Sequence, residues 1–118
     1  MEWLFLENEK QISELITLSS DKNISAIAIF KHSTRCSVSS MAKQRLERTW
    51  DFSPKNLPVF YLDLIEHRSL SNQIASQFSV QHQSPQLLLI KNGKCIFHSS
   101  HQAIQVADVK EIIEKINN

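Results

Sequence analysis

The sequence predicts an α/β fold in which a central mixed β-sheet, with elements in the order βαβαβαββα, is flanked by helices. Three observations carry this expectation. The stretch "ISAIAIF" is apolar on both faces, the mark of a covered strand in the middle of a sheet. Apolar runs alternate with helically spaced apolar positions, an order that implies parallel strands joined by right-handed crossovers. Two late apolar runs are separated by Asn92-Gly93, the strongest short hairpin signal, which holds the only glycine in the chain.

Each element follows in turn. Trp3 to Leu6 forms a short apolar start, after which Asn8 can cap a helix whose apolar positions Ile12, Leu15 and Ile16 recur at helical spacing. "ISAIAIF" is the central strand. Val38, Met41, Ala42, Leu46 and Trp50 then mark one face of a long helix, with Pro54 shortly beyond its end. "LPVFYLDL" is the next strand, and Leu70, Ile74, Ala75 and Phe78 line the next helix. "PQLLLI" and "KCIFH" make the hairpin, which gives the sheet an antiparallel edge. A two-residue turn pairs Lys91 with Lys94 and Leu87 with His98, so that Ser99 to His101 return toward Pro85. Val106, Val109, Ile112, Ile113 and Ile116 mark a closing helix that must cover one face of the sheet.

A chain of 118 residues holds one ordinary core and divides poorly into two, so one domain is expected over residues 1–118. Hydrophobic residues at 42% and charged residues at 21% match soluble globular proteins and exclude the disordered and membrane classes. The net charge of +1 is spread without a basic stripe, so no nucleic-acid partner is expected. The start "MEWLFLENEK" has neither the basic opening nor the long apolar stretch of a signal peptide, and "AIAIF" is far shorter than a bilayer span. A cytoplasmic monomer without membrane association is the expectation. Two cysteines, Cys36 and Cys95, are too few for a disulfide framework and in a reducing compartment remain free thiols.

Chemistry concentrates at "FKHSTRCSVSSM". Cys36 lies where the central strand gives way to a helix, and the amino end of a helix favours an anion through its unpaired N–H groups and macrodipole. Lys31, His32 and Arg35 can add positive potential, and the hydroxyls of Thr34, Ser37 and Ser39 can donate hydrogen bonds to sulfur. An isolated free cysteine more often packs as a small hydrophobe. Cys36 instead is out of phase with the apolar face that starts at Val38 and is flanked by Arg35 and Ser37, which favours a reactive role. Three places later, where a dithiol redox motif has its second cysteine, stands Ser39, whose oxygen cannot form a disulfide. The even spacing of Cys95, His98 and His101 suggests a metal site, but Cys95 and His98 are an odd number of positions apart and face opposite ways on a regular strand. No metal is expected.

The arrangement of a cysteine at the first turn after a central strand, a proline opening a later strand, a tight hairpin and a closing helix resembles the thioredoxin fold over nearly the whole chain. At "KHSTRCSVS", "VQHQSPQLLLIKNGK" and "HSSH" it is similar to the YtxJ-type bacillithiol-system proteins, regarded as monothiol bacilliredoxins. The resemblance implies that Cys36 is the nucleophile, that Ser84-Pro85 is cis and faces it, and that Thr34, Arg35, Ser39, Ser84 and Pro85 contact substrate. It also implies no tightly bound cofactor, a low-molecular-weight thiol (bacillithiol or glutathione) as co-substrate, and S-thiolated proteins and small thiols as partners. Both thiols are anionic, which suits Lys31, Arg35 or Lys43. Residue 37 is Ser, where redox motifs of this superfamily often have proline. Two other classes stand beside it: a thioredoxin-fold interaction module without redox turnover, supported by the missing second cysteine, and a glutaredoxin-like protein serving glutathione. Iron–sulfur assembly is weaker, because the glycine-aromatic pair of that motif is replaced by Ser37-Val38.

Overall fold

A computed structural model describes residues 1–117. Its strands are β1 (Trp3–Phe5), β2 (Ile27–His32), β3 (Val59–Asp63), β4 (Gln86–Lys91) and β5 (Lys94–Ser100). Its helices are α1 (Lys10–Ser19), α2 (Ser37–Thr49), α3 (Arg68–Phe78) and α4 (Val106–Ile116), with a single 3₁₀ turn at His101–Ala103 before α4. The sheet order is β1-β3-β2-β4-β5; β1, β3 and β2 run parallel, whereas β4 is antiparallel to both β2 and β5. Fold and element order are those the sequence predicts.

The start of α1 is held by a reciprocal capping pair. The Gln11 N–H donates to Asn8 Oδ1 at 3.3 Å, and the Gln11 side-chain oxygen accepts the Asn8 N–H at 3.0 Å. Strand alternation then divides the core into two layers. Ile27 and Ile29 of β2, with Leu88 and Ile90 of β4, pack against Leu15 of α1 and Leu70, Ile74 and Phe78 of α3. Ala28 and Phe30, with Leu87 and Leu89, pack against Ala42 and Leu46 of α2 and Val109 and Ile113 of α4. Strand β2 therefore lies between two partner strands and between two helical layers, and all six of its residues are buried.

Two details depart from the sequence expectation. The inward face of α2 is Ser39, Ala42, Leu46 and then Trp50, while Met41 is 60% exposed and Val38 only half-buried. Ser39 takes the inward place because its hydroxyl finds partners under the helix. The second departure is in the hairpin. Lys91 pairs with Lys94 and Ile90 with Cys95, but a register shift follows, so Leu89 pairs with Phe97, Leu88 with His98 and Leu87 with Ser99. Ile96 is the extra residue of a bulge. It turns Phe97 toward the α2/α4 layer while Cys95 packs against the α1/α3 layer. Cys95 and His98 consequently share a face instead of opposing one another. Among the described residues no three His, Cys, Asp or Glu side chains gather where they would hold a metal ion.

The hairpin turn itself needs left-handed backbone at Asn92 (φ 51°) and Gly93 (φ 75°), which glycine adopts without penalty. It is fastened to the end of α1, where the Gly93 N–H donates to Ser19 Oγ at 2.9 Å and the Asn92 N–H to the Ser19 carbonyl at 3.0 Å. No helix among the described residues is long and apolar enough to cross a membrane.

Candidate active site

The carboxyl ends of β2 and β3 lie at one edge of the sheet, where β4 begins. Cys36 stands there at the N-cap of α2, with extended backbone (φ −110°, ψ 123°). Its N–H donates to the Ser33 carbonyl at 3.1 Å and its carbonyl accepts the Ser40 N–H at 3.0 Å, so the cysteine is fixed at the turn by its main chain. No side chain caps the helix. Cys36 is thus the N-cap residue, beside the helix end whose N–H groups and macrodipole favour negative charge, although its thiol makes no capping hydrogen bond. Cys36 is half-buried, whereas Thr34 and Arg35 are exposed.

Antiparallel pairing of Lys31 with Gln86 brings the start of β4 beside the exit of β2. The residue before Gln86 is the buried Pro85, and the Ser84-Pro85 bond is cis. The Pro85 carbonyl accepts the His101 N–H at 3.0 Å, which places the 3₁₀ turn on this side as well. Arg45 of α2 donates to the carbonyls of His101 and Ile104 at 3.2 and 3.1 Å and fixes that turn to the helix. The buried hydroxyl oxygen of Ser84 has no hydrogen-bond partner among the described residues.

Ser39 is fully buried and is committed to the fold. Its oxygen accepts the Ser33 N–H at 3.0 Å and lies 2.6 Å from His32 Nδ1. A ring proton on Nδ1 would leave the Ser39 O–H without an acceptor in a dry place, so the satisfied arrangement has Ser39 donating to Nδ1 and the ring proton on Nε2. Burial, reinforced by Lys43, holds the His32 pKa below its usual value, with Asp63 and Glu47 acting weakly the other way. The neutral ring is stacked on Phe30 and tilted against Tyr61, with centroids 5.7 and 5.5 Å away. Ser39 therefore braces the turn between β2 and α2, and its one proton goes to His32 instead of the Cys36 sulfur.

The cations expected around the thiol are differently disposed. Lys31 is fully buried on the α1/α3 side, where its Nζ lies 3.2 Å from the Ser71 carbonyl and 3.2 Å from His82 Nδ1. Desolvation lowers its pKa from 10.5 to about 8. Lys43 pairs with Glu47 at 3.1 Å and lies over the rings of Trp3 and Tyr61. Arg35 remains as the exposed cation beside Cys36. Cys95, by contrast, is a packed thiol on the edge strand. Its S–H donates to the Phe97 carbonyl at 3.3 Å, and burial pushes its pKa up. The sequence left unassigned the two polar pairs that frame the site, His32 with Ser39 and Lys31 with His82. A lysine and a histidine closing an otherwise apolar buried strand are the signal that points to them.

Comparison with known proteins gives the same architecture. The family model of the monothiol bacilliredoxin BrxC matches residues 5–109. A solved structure described as a candidate oxidoreductase with a thioredoxin fold has 25% identity and a TM-score of 0.72, covering 93% of this chain and 92% of that one. Thioredoxin from Trypanosoma brucei brucei has 10% identity and a TM-score of 0.73, covering 98% and 91%. A mutant thioredoxin from Halobacterium salinarum has 17% identity and a TM-score of 0.69, covering 99% and 92%. The last two similarities are of fold alone.

Two outcomes follow from the polar pairs. Ser39→Ala removes the acceptor of the Ser33 N–H and the donor to His32, and should lower stability in urea unfolding by about 1–3 kcal/mol. Lys31→Met removes a buried amine that gives up its proton near pH 8 in the folded chain but only near 10.5 when unfolded. Between those values the unfolded chain binds the extra proton, so wild-type stability gains from this group as pH rises. The stability of Lys31→Met relative to wild type should therefore be greatest below pH 8 and fall by about 2–3 kcal/mol toward pH 10.5. Parallel stability curves for the two proteins across that window would contradict the assignment.

Proposed function

The chain belongs to the monothiol bacilliredoxin family, and from that premise we propose that it removes bacillithiol, or a closely similar low-molecular-weight thiol, from mixed disulfides on protein cysteines in the cytoplasm. The observation that carries this reading is the placement of Cys36: a half-buried thiol at an uncapped helix start, at the edge where the cis Ser84-Pro85 bond opens β4, with an alcohol three positions on. In the first step the Cys36 thiolate attacks the small-thiol sulfur of the mixed disulfide. The disulfide S–S bond breaks, the protein cysteine leaves as a thiolate with its C–S bond intact, and a new S–S bond joins Cys36 to the small thiol. A second molecule of thiol, as thiolate, then attacks the small-thiol sulfur of that adduct. It leaves as the symmetrical or mixed small-molecule disulfide and returns Cys36 as thiolate. The two electrons that reduce the protein cysteine come from Cys36 in the first step and are replaced by the second thiol in the next.

Ser39 supports a one-thiol course, because a residue held by His32 and the Ser33 N–H offers no sulfur to resolve the adduct. Cys95 offers none within reach. It pairs with Ile90, and at about 3.3 Å per residue the five steps from Pro85 to Ile90 separate it from the site by about 16 Å, against the Cα separation of about 7 Å that a disulfide tolerates. The main chain of Ser84, before Pro85, is the part we assign to an extended segment of the S-thiolated protein, laid down by strand addition; Pro85 and Gln86 are already paired to His101, β2 and β5. Arg35, exposed and adjacent to Cys36 in sequence, is the cation we assign to an anionic thiol.

The test is turnover of a peptide–bacillithiol mixed disulfide, alongside the glutathione equivalent, by wild type, Cys36→Ser and Cys95→Ser. Cys36→Ser should lose adduct formation by mass spectrometry, while Cys95→Ser should keep turnover with excess thiol. A Cys36–Cys95 disulfide together with inactive Cys95→Ser would rule out the one-thiol course. Alkylation of Cys36 by iodoacetamide at pH 6 no faster than that of free cysteine would favour a module without turnover.

A further inference from the structure

The segment Gln81–Pro85, which leads into the cis bond, is held from two sides. The Gln86 side chain, 1% exposed, donates from Nε2 to the Gln81 carbonyl at 3.0 Å and accepts the Gln83 N–H at 3.4 Å. The second hold is His82. Its Nδ1 lies 3.2 Å from Lys31 Nζ and 3.2 Å from Ser71 Oγ, both donors, so Nδ1 is the acceptor and the ring proton sits on Nε2. Lys31 also donates to the Ser71 carbonyl of α3 at 3.2 Å. One amine thereby ties β2, α3 and the segment before Pro85 together.

The position is costly. Lys31 is fully buried, and no carboxylate pairs with it among the described residues. An apolar residue would fill the same space between Ile29 and α3 with less penalty, which argues that its bonds have a use beyond packing. We propose that Lys31 is a positioning residue: through His82 it fixes the main chain before Pro85 in the form that receives an extended, S-thiolated segment. This rests on the thiol-exchange reading for its consequence, but the anchoring itself is a property of the free protein. The groups facing His82 are Lys31 and Arg68; both, together with burial, keep its pKa below the usual value, so the ring remains a neutral acceptor at pH 7. Among the described residues no acid opposes them.

Three variants test the tie from both ends. Lys31→Met keeps the aliphatic stem and loses the donor, His82→Ala loses the acceptor, and His82→Asn restores an acceptor at the δ position. Hydrogen–deuterium exchange of the free protein should show faster amide exchange across residues 81–84 in Lys31→Met and His82→Ala, with wild-type protection regained in His82→Asn. With a peptide–bacillithiol mixed disulfide, KM should rise about tenfold in the first two variants, the size of one lost hydrogen bond, with kcat within about twofold of wild type. Cys36 alkylation by iodoacetamide, a small neutral reagent, should be unchanged. Unchanged amide exchange at 81–84 in both Lys31→Met and His82→Ala would overturn the proposal. So would an equal fall in peptide exchange and alkylation, which would make Lys31 an electrostatic partner of the thiol instead. If wild type leaves the peptide disulfide intact, the thiol-exchange reading fails while the amide-exchange arm still decides the anchor.

Discussion

Strand β2 is bonded along both edges and covered on both faces, so every polar group at its carboxyl end must find a partner inside the protein. The last two residues, Lys31 and His32, point to opposite layers because strand side chains alternate. Lys31 reaches α3 and the segment before Pro85; His32 reaches Ser39 of α2 and the ring of Tyr61 on β3. The pieces that surround Cys36 are therefore located by what β2 needs for its own burial. The site is framed by the strand's last two side chains, and the thiol itself is held only through its main chain.

That constraint explains why the fold was legible in the sequence and part of the site was not. The double-sided apolar run, the helical spacings of α1, α3 and α4, and Asn92-Gly93 each encode their element locally, and each element is found. Cys36 at the strand-to-helix junction was equally legible, because the junction is a change of period in the sequence. The cis state of Ser84-Pro85 came from resemblance, since an isolated Ser-Pro pair gives no local sign of it.

What local pattern could not supply were contacts between residues far apart in the chain. Ser39 looks like an ordinary first-turn residue until His32 is seen beside it, and Met41 looks like core until the helix is rotated by that bond. Lys31 reads as a surface cation near the thiol, because lysine is seldom fully buried; its partners are 40 and 51 residues away. The bulge at Ile96 was hidden for a related reason. Apolar alternation continues through "KCIFH", and only the burial of Cys95 and Phe97 in different layers makes the extra residue visible.

The same bulge has a consequence for the outer margin of the sheet. A sheet's last strand presents unpaired N–H and C=O groups, a template on which another chain's strand can grow toward aggregation. β5 interrupts that template at Ile96 by putting two residues against one, so an incoming strand that matches it near Lys94 is out of step beyond the bulge. At the opposite margin, β1 offers only three residues. A chain that carries an exposed Leu4 and Phe5 on its short margin and Ile96 on its long one thus limits, by backbone geometry alone, how far a foreign strand can zip along either side.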